Sequence, residues 1–418
     1  MKPTAHGAGA PIADAQANTP APALRGYPRA DGRKGIRNHV VVAYLVECAH
    51  HVAREIVWPL RDQGVHLIGF PGCFPNQYAH TMMTRLCTHP NVGAVLLVSL
   101  GCESFDRFRL AESIAASGRP VETLVIQRTG GTRATIERGQ AWARAQAEAL
   151  AAADTVPMAI DELVIGTVCG GSDGTSGITG NPAAGRAFDR LVAEGAACIF
   201  EETGELIGCE EIMAARAVTP ALGDELRQAV HKAARYYATL GYGSFSAGNA
   251  EGGLTTIEEK SMGAYAKSGA SQIRGMIKPG DLPPRGGLYL MDVIPDGEVR
   301  FGFPNISDNA EIVEMMASGT HLNLFITGRG SVVGSAIAPV IKICANPDTY
   351  ARLADDMDVN AGRILSEGAS LDEVGDEIYE LVRAVCAGAP SRSEALGHTE
   401  FILTYKTFEP IGPACLPV

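Results

Sequence analysis

Two α/β domains, the first a three-layer parallel sheet and the second a larger α/β unit, are the fold class this sequence predicts. Three observations point there. Apolar runs of strand length alternate with amphipathic stretches of helix length from residue 38 onward, the pattern of a parallel sheet covered on both faces. The 418 residues exceed what one core usually holds. Hydrophobic residues make up 46% of the chain, enough to fill two cores.

The elements follow in order. NHVVVAYLV (38–46) reads as a buried strand, and HHVAREIVWPLRDQG (50–64) as the helix after it. VHLIGF (65–70), VGAVLLVSL (92–100) and VETLVIQ (121–127) read as further strands. They are separated by helices over NQYAHTMMTRLCTH and near Phe105 to Ala116, and the long Ala-rich helix from Arg133 closes the unit. Residues 25–155 are thus expected to form a Rossmann-like domain, and 156–418 a second α/β domain entered through TVPMAIDE. Strands are expected at LVIGTV, AACIFEE, GGLYLMDV, HLNLFITG and PVIKICA, and helices near 181–194, 221–240 and 371–387. Residues 1–24 hold hardly any large apolar side chain and read as a disordered tail.

A net charge of −12 disfavours a nucleic-acid partner, because phosphates would be repelled. No apolar run reaches about 18 residues, so no membrane span is expected. The first 24 residues lack the charged-then-apolar layout of a secretion signal. Ten cysteines in such a chain read as reduced thiols, and a cytoplasmic location is expected.

Four of those cysteines stand directly after predicted strands: Cys48, Cys73, Cys102 and Cys169. In open parallel sheets ligands bind beyond the carboxyl ends of the strands, so the cleft there is the expected active site. A single cysteine usually only packs. Three at equivalent positions could instead present soft thiolates to iron, zinc or an iron–sulfur cluster and leave a coordination position open. Cys169, ending the first strand of the second domain, could reach the same cleft.

The Gly-rich loop CGGSDGTSG precedes a helix, and backbone N–H groups there can hold an anion. Gly170, Gly171, Ser172, Asp173, Ser176 and Asn181 are candidate binders of a substrate carboxylate; a ligand-free tight turn is the alternative. Arg329, in a Gly-flanked turn, could clamp a carboxylate with its planar fork. Glu251 and Lys260 lie near glycines and are candidate proton shuttles, with a solvated helix start as the bland alternative. The glycine fingerprints of dinucleotide and nucleotide sites are absent, as is a nucleophile elbow.

Taken together, GYPRADGRKGIRNHV, PGC at Cys73, SLGCE at Cys102, CGGSDGTSGITGNPAAG, AEGGLTTIEEKSMG, LYLMDV, HLNLFITGRGSVVG and MDVNAGRI resemble the altronate/galactarate dehydratase family. That family also includes the large subunit of sulfolactate sulfo-lyase. The resemblance runs from about Gly26 to Arg363. It implies a lyase that performs β-elimination of water or sulfite from a small hydroxy acid or sugar acid, giving a keto acid. It implies iron, as Fe²⁺ or a cluster; the assignment of Cys48, Cys73, Cys102 and Cys169 as its ligands comes from their positions.

Two differences stand out. No small antifreeze-like (SAF) domain precedes Gly26, so a separate small subunit carrying it is an expected partner, alongside homo-oligomerisation. Gly69 stands where the sugar-acid dehydratases carry a histidine, which favours a different small acid. A non-catalytic acid-binding paralogue and a metal-dependent hydrolase are the competing readings.

Overall fold

Val40, Val41 and Val42 would waste apolar surface on whichever face of a strand met water, so His39–Tyr44 lies inside a sheet with helices on both sides. The computed structural model describes residues 23–240, 244–296, 307–404 and 406. In the first domain four strands run parallel in the order Val65–Gly69, His39–Tyr44, Val92–Ser99 and Val121–Val125. The helices His50–Val57 and Thr132–Ala151 cover one face, and Gln77–Cys87 and Arg107–Ala116 the other.

The second domain is a seven-stranded, all-parallel sheet. Its order is Ile273–Ile277, Gly287–Met291, Ala197–Phe200, Val164–Cys169, Leu322–Thr327, Val340–Cys344 and Val359–Asn360. The two-domain parallel α/β layout is the one expected. The pattern did not reveal the helix Asp308–Ala317, the edge strands Ile273–Ile277 and Val359–Asn360, or a small antiparallel sheet of Lys34–Gly35, Arg25–Pro28 and Val156–Pro157. The expected tail largely falls outside the described residues. Leu24, counted with it, is buried, and its carbonyl accepts the Met158 N–H at 3.0 Å. No helix among the described residues is long and apolar enough to cross a membrane.

One apolar cluster spans both domains. Tyr78, Met82 and Leu86 of helix Gln77–Cys87 belong to the same apolar cluster as Ile312, Met315 and Met316 of helix Asp308–Ala317. The Tyr78 hydroxyl, in the first turn of Gln77–Cys87, donates to Glu314 in the second half of Asp308–Ala317 at 2.5 Å, and just past both ends His89 Nε2 meets the Thr320 carbonyl at 3.1 Å. The two helices therefore run in the same direction. Each is antiparallel to the strands of its own sheet, so both sheets open their carboxyl ends on the same side of the molecule.

The junction also holds His321, whose Nε2 meets the Lys34 carbonyl at 2.8 Å while Nδ1 accepts the Val164 N–H at 3.0 Å. Burial pushes its pKa down to about 4. The folded chain thus keeps it neutral while the unfolded chain protonates near 6.5, and its contribution to stability is lost as pH falls from about 6.5 towards 4. We expect about 2 kcal/mol of that loss between pH 7.5 and 5. Buried carboxylates with raised pKa values, such as Asp358 at about 6, act in the opposite sense. The readout is therefore the difference between wild type and His321→Gln in urea midpoints at the two pH values. Equal shifts in both proteins would refute the assignment.

Candidate active site

Each sheet reverses its strand order beside its first strand, and that is where a crevice opens beyond the carboxyl ends. In the first domain this rim carries Cys48, Cys73 and Cys102, all exposed. Their loops are tied together: the Pro71 carbonyl accepts the Glu47 N–H at 3.2 Å, and the Cys73 carbonyl accepts the Ser104 N–H at 2.9 Å. Glu103 fixes the third loop by accepting from the Ser99 hydroxyl and from the Gly101 N–H. Two trios of His, Cys, Asp or Glu among the described residues bring ligand atoms within 4.8 Å of one another, and the rim thiols are not one of them. A single ion with bonds of about 2.3 Å to sulfur needs thiols closer than that. The rim as it stands therefore does not bring the three thiols within the reach of one ion.

Gly69 lies on the same rim, opposite Tyr44 in the parallel register. A Cβ at this position would fall 2.2 Å from the Tyr44 ring. The absent histidine is therefore matched by a tyrosine that fills its space. Gly69→His should cost roughly 1–3 kcal/mol through overpacking, read as a lower urea midpoint. An unchanged midpoint would show that Tyr44 swings aside freely.

In the second domain the switch lies between Val164–Cys169 and Leu322–Thr327, whose following loops are stitched together. The Gly171 carbonyl accepts the N–H of Gly328 at 3.2 Å and of Arg329 at 2.9 Å. Asp173 organises the Gly-rich loop: one oxygen accepts from the N–H and hydroxyl groups of Thr175 and Ser176, the other from Asn346 Nδ2 at 2.9 Å. The N–H groups of Gly170, Asp173 and Gly174 are likewise spent inside the protein. The loop's donors thus mostly hold the loop, and little of the expected N–H cradle is left for an anion.

Across from the loop stands the helix Ile257–Tyr265. It comes so close that a Cβ on Gly177 would fall 2.7 Å from the Gly263 Cα. Between them lies a cleft of about 330 Å³. Ser172, Ser176, Asn181 and Lys260 give it polar groups, and Leu254 and Met262 an apolar wall. Asn181 is buried, with Oδ1 lacking a partner among the described residues. Such an atom costs free energy unless a ligand or water meets it.

Lys260 links the cleft to a buried polar network. Its ammonium pairs with Glu205 and donates to the Ser244 carbonyl at 2.7 Å. Burial disfavours its charge, yet Glu205 more than offsets this and raises its pKa. Glu205 in turn accepts from the Cys169 thiol at 3.5 Å. Cys169 N–H and Sγ also donate to Glu202, at 3.0 and 3.1 Å, and Lys267 touches both, lying 3.2 Å from the sulfur. Burial and then Glu202 push the Cys169 thiol well up, so it is neutral. Cys169 is thus buried in the second domain with carboxylates and lysines rather than among the exposed thiols. The Lys267 ammonium stands where a metal bound to Cys169 and Glu202 would sit.

Glu202 is the one non-glycine residue with positive φ (82°) among those described, a strain of the kind that gathers at functional sites. Asp308 lies against Gly170, where an added Cβ would fall 2.0 Å from its Oδ2. Burial, then Glu205, raises its pKa to about 6. Neither Asp308 nor the Glu202–Lys267 pair is foreseen from motifs, because the partners are distant in sequence. The acidic run EETGE directly after an apolar strand is the signal that could have found Glu202 and Glu205.

Arg329 and Glu251 meet, but do not line the cleft. Arg329 donates to Glu251 at 2.9 Å and to the Gly248 carbonyl at 3.0 Å, both side chains being substantially exposed. Asn249, on the same short helix Ala247–Glu251, donates to the Ser172 carbonyl at 3.0 Å and so fastens that helix to the loop.

Comparison with known proteins places this geometry. Residues 26–151 match the family model "D-galactarate dehydratase/Altronate hydrolase, second domain", and residues 160–408 match "D-galactarate/Altronate dehydratase, C-terminal". The chain is 33% identical to (2R)-sulfolactate sulfo-lyase subunit beta of Chromohalobacter salexigens, over 91% of this chain and 96% of that one. It is 28% identical to altronate dehydratase of Bacillus subtilis, over 87% of this chain and 74% of the relative. Galactarate dehydratase (L-threo-forming) of Escherichia coli is 31% identical over 73% of this chain and 58% of its own.

Proposed function

Since the chain belongs to the D-galactarate/altronate dehydratase family and is a lyase of its carbon–oxygen or carbon–sulfur type, we propose that it is the large catalytic subunit of an enzyme eliminating sulfite or water from a small 2-hydroxy acid. The observation that carries this reading is the cleft with the Lys260 ammonium at its wall, paired to buried Glu205. Elimination removes a proton from the carbon beside a carboxylate, and the electron pair forms the double bond as the β-substituent leaves with its own bonding pair. The enol then becomes the keto acid. The barrier is the negative charge that builds on the carboxylate oxygens.

Lys260 stabilises that charge from the cleft wall, where little water competes. Asp308, with a pKa near 6, takes the proton: it is ionised at neutral pH yet basic enough to accept it. Asn181 Oδ1 accepts a substrate hydroxyl, and Ser172 and Ser176 line its path. Cys48, Cys73 and Cys102, on the rim that opens to the same side, would hold iron once drawn within its reach, and it would supply Lewis-acid polarisation there. A separate small subunit with an SAF domain completes the enzyme, in line with the relative's being a beta subunit, and the pair works in the cytoplasm as an oligomer.

The test is anaerobic incubation of the chain, with and without a co-expressed small subunit, with (2R)-sulfolactate, altronate and galactarate. Sulfite release with keto acid supports the sulfo-lyase; keto acid without sulfite makes it a dehydratase. No turnover of any acid favours a non-catalytic paralogue. Cys102→Ser should lose bound iron and activity together; unchanged iron content would remove the rim thiols from the assignment.

A further inference from the structure

Beyond the cleft, the end of strand Ala197–Phe200 and the first turn of helix Asp308–Ala317 bring three carboxylates together. Oxygens of Glu201, Glu202 and Glu311 lie within 4.8 Å of one another, and all three residues are buried. Glu201 is wholly inaccessible, and both its carboxylate oxygens lack a hydrogen-bond partner among the described residues. Glu202 receives Lys267 and the Cys169 donors on Oε2 alone, so Oε1 makes no hydrogen bond among the described residues. The Glu311 side chain takes part in none either.

Other buried carboxylates among the described residues have partners. Glu314 has Tyr78 and Lys406, and Asp292 has Lys232 and Lys278. Once ionised, the three carboxylates of the Glu201 trio share the ammonium of Lys267, while Lys406, the other lysine acting on Glu201, is already paired with Glu314. A divalent cation would bring the sum to zero and give Glu201 the partner it lacks. Ions with bonds of about 2.1–2.4 Å to oxygen hold opposite ligands about 4.2–4.8 Å apart, and oxygens within 4.8 Å of one another are compatible with that. The donors are all oxygen, so the chemistry is that of a hard ion and differs from the thiol rim.

We propose that Glu201, Glu202 and Glu311 bind one hard divalent cation, of the magnesium, manganese or calcium class, at a site separate from the rim cysteines. The ion would tie the strand end to the helix that carries Asp308. Its burial implies slow exchange, so it enters during folding and resists chelators.

Manganese is the probe. The full chain is produced in manganese-supplemented medium, dialysed briefly against a chelator, and examined by elemental analysis and electron paramagnetic resonance. One manganese per chain is expected, retained in a Cys48→Ser/Cys73→Ser/Cys102→Ser variant and displaced when the medium instead holds excess magnesium or calcium. Glu201→Gln and Glu311→Gln, near-isosteric and checked for folding by circular dichroism, should weaken retention at least about tenfold. Wild-type protein without manganese, magnesium or calcium would overturn the proposal and leave the trio as protonated acids. Metal undiminished in folded Glu201→Gln and Glu311→Gln would overturn it too. Neither result bears on turnover, so the lyase reading stands or falls separately.

Discussion

Lys260→Met is expected to lower kcat by about 10²–10³-fold, the usual loss when a donor aimed at developing negative charge is removed. The same change strands Glu205, whose side chain is 10% exposed and has its ammonium partner in Lys260. Breaking a buried pair on one side costs roughly 3–5 kcal/mol, far more than an exposed pair would. Activity loss alone would therefore not prove a catalytic role. Lys260→Arg separates the two effects. It keeps a cation beside Glu205 but moves the charge, so it should recover most of the stability and little of kcat. In both variants the measurements are kcat and KM for whichever acid turns over, with urea midpoints alongside. A Lys260→Arg enzyme with near-normal kcat would leave Lys260 as a purely structural counterion to Glu205.

Pattern and contact divide what the sequence could reveal. The strands His39–Tyr44, Val92–Ser99 and Leu322–Thr327 are legible because parallel strands buried on both faces must be apolar throughout. The helix Asp308–Ala317 is not, because almost every residue in it is buried, Glu311 and Glu314 included, so no polar face marks its period. The two-residue strands of the small sheet are too short for any periodicity. Cys48, Cys73 and Cys102 were visible as strand-end residues, and the fold does set them on neighbouring loops. Lys260 was visible as a charge near glycines. Its partner Glu205, 55 residues away, was not, and neither was the Lys267–Glu202 pair, separated by 65. Only packing decides that these charges meet without water. Glu251 and Arg329 illustrate the converse: residue types suited to catalysis turn out to neutralise each other on an exposed edge.

Asp308→Asn tests the base with stability and activity moving in opposite directions. The carboxylate titrates near 6 in the folded chain, against about 3.9 unfolded. The folded state thus binds the proton more tightly, and ionisation of Asp308 destabilises the fold as pH rises from about 4 through 6 and above. Asparagine cannot ionise, so the variant should be more stable than wild type at pH 8, by about 2 kcal/mol once partial exposure is allowed for, and the gain should vanish below pH 4. If Asp308 takes the proton, its ionised form is the active one. Wild-type kcat/KM should then rise with pH to a plateau past an apparent pKa near 6, while Asp308→Asn loses about 10²–10⁴-fold together with that limb. A protein that is better folded yet inactive cannot owe its defect to unfolding. Should the variant keep the limb near pH 6, or keep its rate, the proton must go to another group, and the Lys260–Glu205 pair becomes the place to look.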